Sequence, residues 1–143
     1  MNQYEKIYKG IVHLLPGIGQ AVPGDYFKLR AGGFMDLHVD VLSSGTGVKS
    51  GRRVMRIAMA HNYLQNGDVM ADPDMEIRLY PNEKMAEALT FQQAHPPVFQ
   101  EVYPQPGYMN PRLKKHLNAF LLQWLNNLKD QGHTMQAETT DAA

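Results

Sequence analysis

Apolar residues recur with a helical period at both ends of this chain and with a period of two between them. Tyr4, Ile7, Tyr8, Ile11 and Leu15 fall on one helical face, and Asn2 followed by Glu5 has capping-box spacing. A helix is therefore predicted to open the chain and to stop near Pro16-Gly17, where proline and glycine break the period. From Phe27 the pattern alternates. Its most regular stretch runs from Phe34 to Val41, with Met35, Leu37, Val39 and Val41 on one side and Asp36, His38 and Asp40 on the other. Met55, Ile57 and Met59 repeat the alternation after the segment SSGTGVKSG, which reads as a flexible turn, and Met75, Ile77 and Leu79 repeat it again. Leu89 with Phe91, and then Val98 to Val102, supply two more short strands. Asn66-Gly67-Asp68 is a strong reversal signal, because Asn and Gly tolerate the positive φ of a tight hairpin turn. Links this short between successive strands imply antiparallel pairing, since a parallel return needs a crossover of roughly a dozen residues.

The last helix is predicted to begin at Asn110-Pro111, a capping residue followed by proline at the first helical position. Leu113, Leu117, Phe120, Leu121, Trp124, Leu125 and Leu128 form its apolar stripe, Lys114, Lys115, Asn118, Asn126 and Lys129 face water, and Gly132 ends it. The remainder, HTMQAETTDAA, has no apolar period and reads as a frayed tail. The expected fold is α+β: a mainly antiparallel sheet of five or six strands, with the N-terminal and C-terminal helices packed on its apolar face. Residues 1–132 are assigned to a single domain and 133–143 to a flexible C-terminal tail.

Composition narrows the function. The 143 residues carry 14 basic and 14 acidic side chains, so no net charge draws the chain to nucleic acid or to an anionic membrane. Cysteine is absent, which removes thiolate chemistry and restricts any metal to imidazole, carboxylate or backbone ligands. No apolar run approaches the ~20 residues of a membrane span, and no leader pattern precedes the first helix, so a cytoplasmic protein is expected. The pair of glycines in GIGQAV follows a predicted helix rather than a strand, so it lacks the context of a dinucleotide fingerprint, and no cofactor is expected.

Three strings, FMDLHVDVL, HNYLQNGDVMADPDMEI and VFQEVYPQPGYMNPRLKKHLNAFLLQWLNNLKDQG, together resemble an uncharacterised bacterial family of unknown function found largely on plasmids and integrative elements. More distantly, IRLYPNEKMAEALTFQQ with LNAFLLQWL is similar to YqiB-like proteins. The resemblance spans most of the chain. It implies one compact helix, sheet, helix domain and a mobile-element origin, and brings no activity.

Several groups of residues carry candidate chemistry. His61, Asp68, Asp72 and Asp74, with Glu76 close by, offer an imidazole and carboxylates to a hard cation. Their order departs from a calcium loop, because Met70 and Pro73 stand third and sixth from Asp68. The structural alternative is preferred: a turn at Asn66-Gly67-Asp68 and a strand entered through Asp72-Pro73. Asp36, His38 and Asp40 would set an imidazole between two carboxylates, which would raise its pKa, unless the face is simply solvated and paired with Arg56 or Arg78. Arg112, Lys114 and Lys115 form a basic helix start, and Tyr103 and Tyr108 lie just before them in a proline-rich loop. That loop is either a lid over the core or a contact surface for a partner.

The preferred reading is a non-enzymatic accessory or protein-interaction domain. Tyr103, Tyr108, Arg112, Lys114 and Lys115 form its candidate surface, and another protein is its expected partner. The alternative is a metal-assisted hydrolase or small-ligand-binding protein built on His61, Asp68, Asp72 and Asp74. The third is nucleic-acid binding through Arg112, Lys114 and Lys115, which the neutral charge disfavours.

Overall fold

The computed structural model describes residues 1–47, 51–94 and 96–135, without the side chains of 63–65 and 68–71. Helix α1 spans Gln3–Leu14 and is capped as the sequence predicts. Asn2 Oδ1 accepts the Glu5 amide at 2.8 Å, and Glu5 Oε1 accepts the Asn2 amide at 2.8 Å. A short 3-10 turn, Ile18–Gln20, leads into the sheet. Arg53 holds that turn in place, donating to the carbonyls of Gly19 and of Ala21, the latter at 2.7 Å, and to Ser44 Oγ at 3.1 Å.

The strands are β1 (Tyr26–Arg30), β2 (Leu37–Thr46), β3 (Arg53–Gln65), β4 (Asp68–Tyr80), β5 (Met85–Ala88), β6 (Thr90–Gln93), β7 (Val98–Glu101) and β8 (Thr134–Met135). They form one antiparallel sheet in the order β7-β6-β4-β3-β2-β1-β8, with β5 paired to the far end of β4. Helix α2 spans Pro111–Asp130, and the Asn110 side chain accepts the Leu113 amide at 3.0 Å. Asn66 and Gly67, at φ 53° and 86°, make the two-residue reversal between β3 and β4.

The described residues form eight strands where five or six are expected. One addition arises because the apolar run through Leu89 is two strands. The Leu89 amide turns to the Glu76 carbonyl at 2.8 Å, so β5 pairs with Ile77–Tyr80 while β6 meets β4 at Asp74. The other addition is β8. Gly132, at φ 85°, closes α2 with paired bonds from its own amide to Lys129 O at 3.0 Å and from the His133 amide to Leu128 O at 3.1 Å. That cap redirects the chain onto β1, where Leu29 pairs with Met135 and Arg30 with Thr134. His133, expected in a frayed tail, is buried at 4% exposure. Residues 136–143 of that tail lie outside the described residues. The β2 strand also begins later than its alternation suggests: Phe34 and Met35 precede it and are exposed. Conversely, Ser43 to Thr46, expected in the turn SSGTGVKSG, continue β2 and pair with β3, and residues 48–50 of that turn lie outside the described residues.

Period two assigns the two faces. Leu37, Val39, Val41, Met55, Ile57, Met59, Met75, Ile77 and Leu79 are all buried in one core with Ile7, Ile11 and Leu14 of α1 and Leu117, Leu121, Trp124, Leu125 and Leu128 of α2. At about 1.5–3 kcal/mol for each large side chain, the α2 residues alone contribute on the order of 10 kcal/mol before chain entropy. Asn118 is a polar member of this interface. Fully buried, it accepts the Ala88 amide at 2.8 Å and donates to Lys114 O at 2.8 Å, which joins β5 to α2.

Candidate functional site

Among the described residues, His61, Asp72 and Asp74 do not converge. His61 continues the inward row of Met55, Ile57 and Met59, whereas Asp74 pairs with Ala60 on the opposite face of the sheet. Asp72 and Pro73 stand opposite His61 in an irregular step of the ladder, and Asp72 Oδ2 accepts the Ala94 amide at 3.4 Å. The side chain of Asp68 lies outside the described residues. Its backbone pairs with Gln65, four positions beyond His61 and about 13 Å along the strand at ~3.3 Å per residue. Among the described residues no three His, Asp or Glu side chains are grouped as metal ligands would be.

His61 has both ring nitrogens engaged. Trp124 Nε1 donates to Nε2 at 3.2 Å, which leaves the proton on Nδ1, where it is donated to the Asp36 carbonyl at 2.9 Å. Burial holds this imidazole below its ordinary pKa and outweighs the carbonyl that favours the charged form. It belongs to a run of ring contacts from Phe91 through Phe120, Trp124, His61 and His133 to Phe34, with centroids 5.3 to 6.4 Å apart.

The polar face carries the second predicted group. His38 sits between Lys28 and Ala60 in the ladder, and Asp40 between Tyr26 and Ala58. Asp36 turns instead to Lys28 and Arg30, each at 3.5 Å. The His38 pKa is lowered, not raised as two flanking carboxylates would require, because burial and then Lys28 outweigh Asp36 and Asp40. The Tyr26 hydroxyl bonds His38 Nδ1. Of the two arginines expected to pair across this face, Arg56 reaches Glu76 at 3.4 Å and Arg78 reaches Glu87 at 3.6 Å.

Glu87 is the centre of the most developed polar constellation. Its side chain is 8% exposed. Oε1 accepts Lys114 Nζ at 2.7 Å and the Tyr103 hydroxyl at 2.6 Å, and Oε2 accepts the Tyr80 hydroxyl at 2.5 Å. Lys114 also donates to the Tyr103 hydroxyl at 2.7 Å and lies 5.4 and 5.2 Å from the ring centroids of Tyr4 and Tyr103. Burial by itself would raise the Glu87 carboxyl, yet the bonds from Lys114, Tyr103 and Tyr80 hold it below its usual range. The same contacts raise Lys114 in spite of its burial. A cavity of about 360 Å³ opens beside the pair, lined by Tyr4, Tyr80, Met85, Ala86, Glu87 and Lys114.

The predicted interaction residues thus divide. Tyr103 and Lys114 turn inward to Glu87, whereas Tyr108 is 62% exposed and Arg112 and Lys115 are exposed one helical turn apart. Glu87 escapes sequence reasoning because it alternates with Ala86 and Ala88 like any outward strand residue. The only hint is its place between two alanines, Ala86 and Ala88, in a short strand.

A model of a domain of unknown function, DUF6908, matches residues 6–134. The chain belongs to the DUF6908 family. Neither the curated proteins nor the solved structures include a match. In this DUF6908 member the buried polar side chains among the described residues are His61, Glu87, Asn118 and His133. The described helices include none long and apolar enough to cross a membrane.

Proposed function

We propose that this domain is a non-enzymatic accessory module that binds another protein through the rim around the start of α2. One observation carries the reading: an exposed aromatic and basic rim stands on a locked base. Tyr103 and Lys114 are tied to Glu87 by bonds of 2.6 and 2.7 Å, so the loop and the helix start are held in place. Tyr108 at 62% exposure, Met109 at 47%, Arg112 and Lys115 project from that base. A large aromatic on a pre-ordered support loses little entropy on association, which is the character of an interface anchor. His61 and Glu87, the titratable groups most engaged in the fold, have their bonding capacity taken up internally, which favours binding over acid-base catalysis. The bacterial mobile-element origin that the sequence resemblance implies belongs to the same reading.

A photo-crosslinking residue at position 108 tests it in native-host lysate, with the Tyr108→Ala/Arg112→Glu double variant as competitor. A crosslinked protein displaced by the unlabelled parent chain but not by the double variant supports the proposal. Equal displacement by both, or no specific crosslink, overturns it.

A further inference from the structure

The cavity beside Glu87 and Lys114 lies at the corner where the start of α1, the start of α2 and the β4–β5 hairpin meet, apart from the outward rim. Its walls are mainly apolar: Met85, Ala86 and the rings of Tyr4 and Tyr80. Its volume of about 360 Å³ falls within the range of small-molecule sites, roughly 300–1,000 Å³. The polar groups at its base decide the charge of an occupant. An ammonium has three donors, and Lys114 places two of them, on Glu87 Oε1 and on the Tyr103 hydroxyl, each at 2.7 Å. The third has no acceptor among the described residues. The Tyr4 hydroxyl makes no hydrogen bond among the described residues either.

Glu87, by contrast, has nothing to offer a cation. Oε1 already accepts Lys114 and Tyr103, and Oε2 accepts Tyr80 and faces Arg78 at 3.6 Å. The Glu87 charge is thus offset by Lys114, which lines the cavity, and by Arg78, which stands behind it outside the cavity. The first turn of α2 carries no acidic residue, so the positive end of a 20-residue helix adds to the same potential. Arg56, Glu76 and Glu101, which border a separate small cleft with Arg78 and Tyr103, do not line this cavity.

We propose that the cavity is a binding site for a small, flat carboxylate, whose oxygen takes the third Lys114 donor while its apolar body packs between Tyr4, Tyr80 and Met85. The site shares Lys114 with the base that supports the partner-binding rim, but Tyr4, Tyr80 and Met85 are not part of that rim and test the cavity separately.

Amide chemical-shift titration of the full chain with benzoate, and separately with benzylamine as its cationic counterpart, tests the site. Benzoate is expected to give saturable shifts centred on Tyr4 and Met85 to Glu87, with affinity around 1 mM, in keeping with a fragment of this size. Benzylamine is expected to bind at least about tenfold more weakly. Lys114→Gln should lose benzoate binding but also disturbs Glu87, so Tyr4→Ala and Met85→Trp, which leave the Glu87–Lys114 bridge in place, are the deciding variants. Both should abolish the saturable shifts while the rest of the spectrum stays that of the folded parent. Absent or diffuse benzoate shifts, equal binding of benzylamine, or undiminished binding by both folded variants would each overturn the proposal.

Discussion

The indole of Trp124 donates to His61 Nε2 across 3.2 Å, joining α2 to β3 through residues 63 positions apart. That bond requires an unprotonated Nε2, so the imidazole is held neutral by geometry as well as by burial. The unfolded chain, with an imidazole near its ordinary 6.5, takes up this proton first as the pH falls. The contribution of His61 is therefore complete above about pH 6.5 and is lost as the pH drops towards the lower folded value, at no more than about 1.4 kcal/mol per pH unit for one proton. Urea denaturation between pH 8 and pH 5 should show this slope in the parent and a shallower one in His61→Gln. Identical slopes would mean that His61 is as readily protonated in the folded chain as in the unfolded one.

Trp124 is 7% exposed and packs among Phe120, His61 and the α2 core stripe. Trp124→Ala is expected to cost about 3–5 kcal/mol, from lost burial plus the cavity left behind. Trp124→Phe keeps much of the ring contact and loses the donor, so its cost should be clearly smaller. Thermal melts of the two variants would reveal an error if alanine melted within a degree or two of the parent.

Removing one partner of the Glu87 network should cost more than removing the charge pair together. Lys114→Met leaves a carboxylate 8% exposed with Arg78 at 3.6 Å as its remaining cation and the Tyr80 and Tyr103 hydroxyls as donors, and should destabilise by about 3 kcal/mol, the low end for a broken buried pair. Adding Glu87→Gln to it removes the stranded charge and should recover part of the loss. A double variant less stable than Lys114→Met alone, measured by denaturant titration, would contradict this account.

Asn118 accepts the Ala88 amide at 2.8 Å from a fully buried position. Asn118→Leu fills similar space and leaves that amide unpaired, at a cost of about 1–3 kcal/mol. Hydrogen exchange provides the sharper reading: the Ala88 amide should lose protection selectively, and unchanged protection there would exclude Asn118 as its acceptor.

Asp74 offers the opposite sign. Burial, then Glu76 and Asp40, raise its carboxyl above the ordinary value, so in the folded state ionisation is disfavoured and costs stability once the pH exceeds the unfolded pKa. Asp74→Asn should therefore stabilise the domain at neutral pH, by about 0.5 kcal/mol given solvent screening, and the gain should vanish near pH 3. A destabilised Asn variant at pH 7 would show that the carboxylate has a partner that favours its charge.

The apolar periods, together with the capping residues and the Asn66-Gly67 dipeptide, by themselves determined both helices, their caps, the hairpin reversal and the inward rows of β2, β3 and β4, because each depends on neighbours within a few positions. Their limits were also local. The division at Leu89 depends on a Glu76 carbonyl 13 positions away, and β8 depends on a helix cap that returns the chain to β1. Only the tertiary structure decided what the polar residues do. His61 and Asp74 are close in sequence yet lie on opposite sheet faces, whereas Glu87, Lys114, Tyr103 and Tyr80 come from separate segments and meet at one buried carboxylate. Periodicity reports which way a side chain points. The partner it meets there is set by pairing register and by helix packing, which bring together residues that no sequence interval connects.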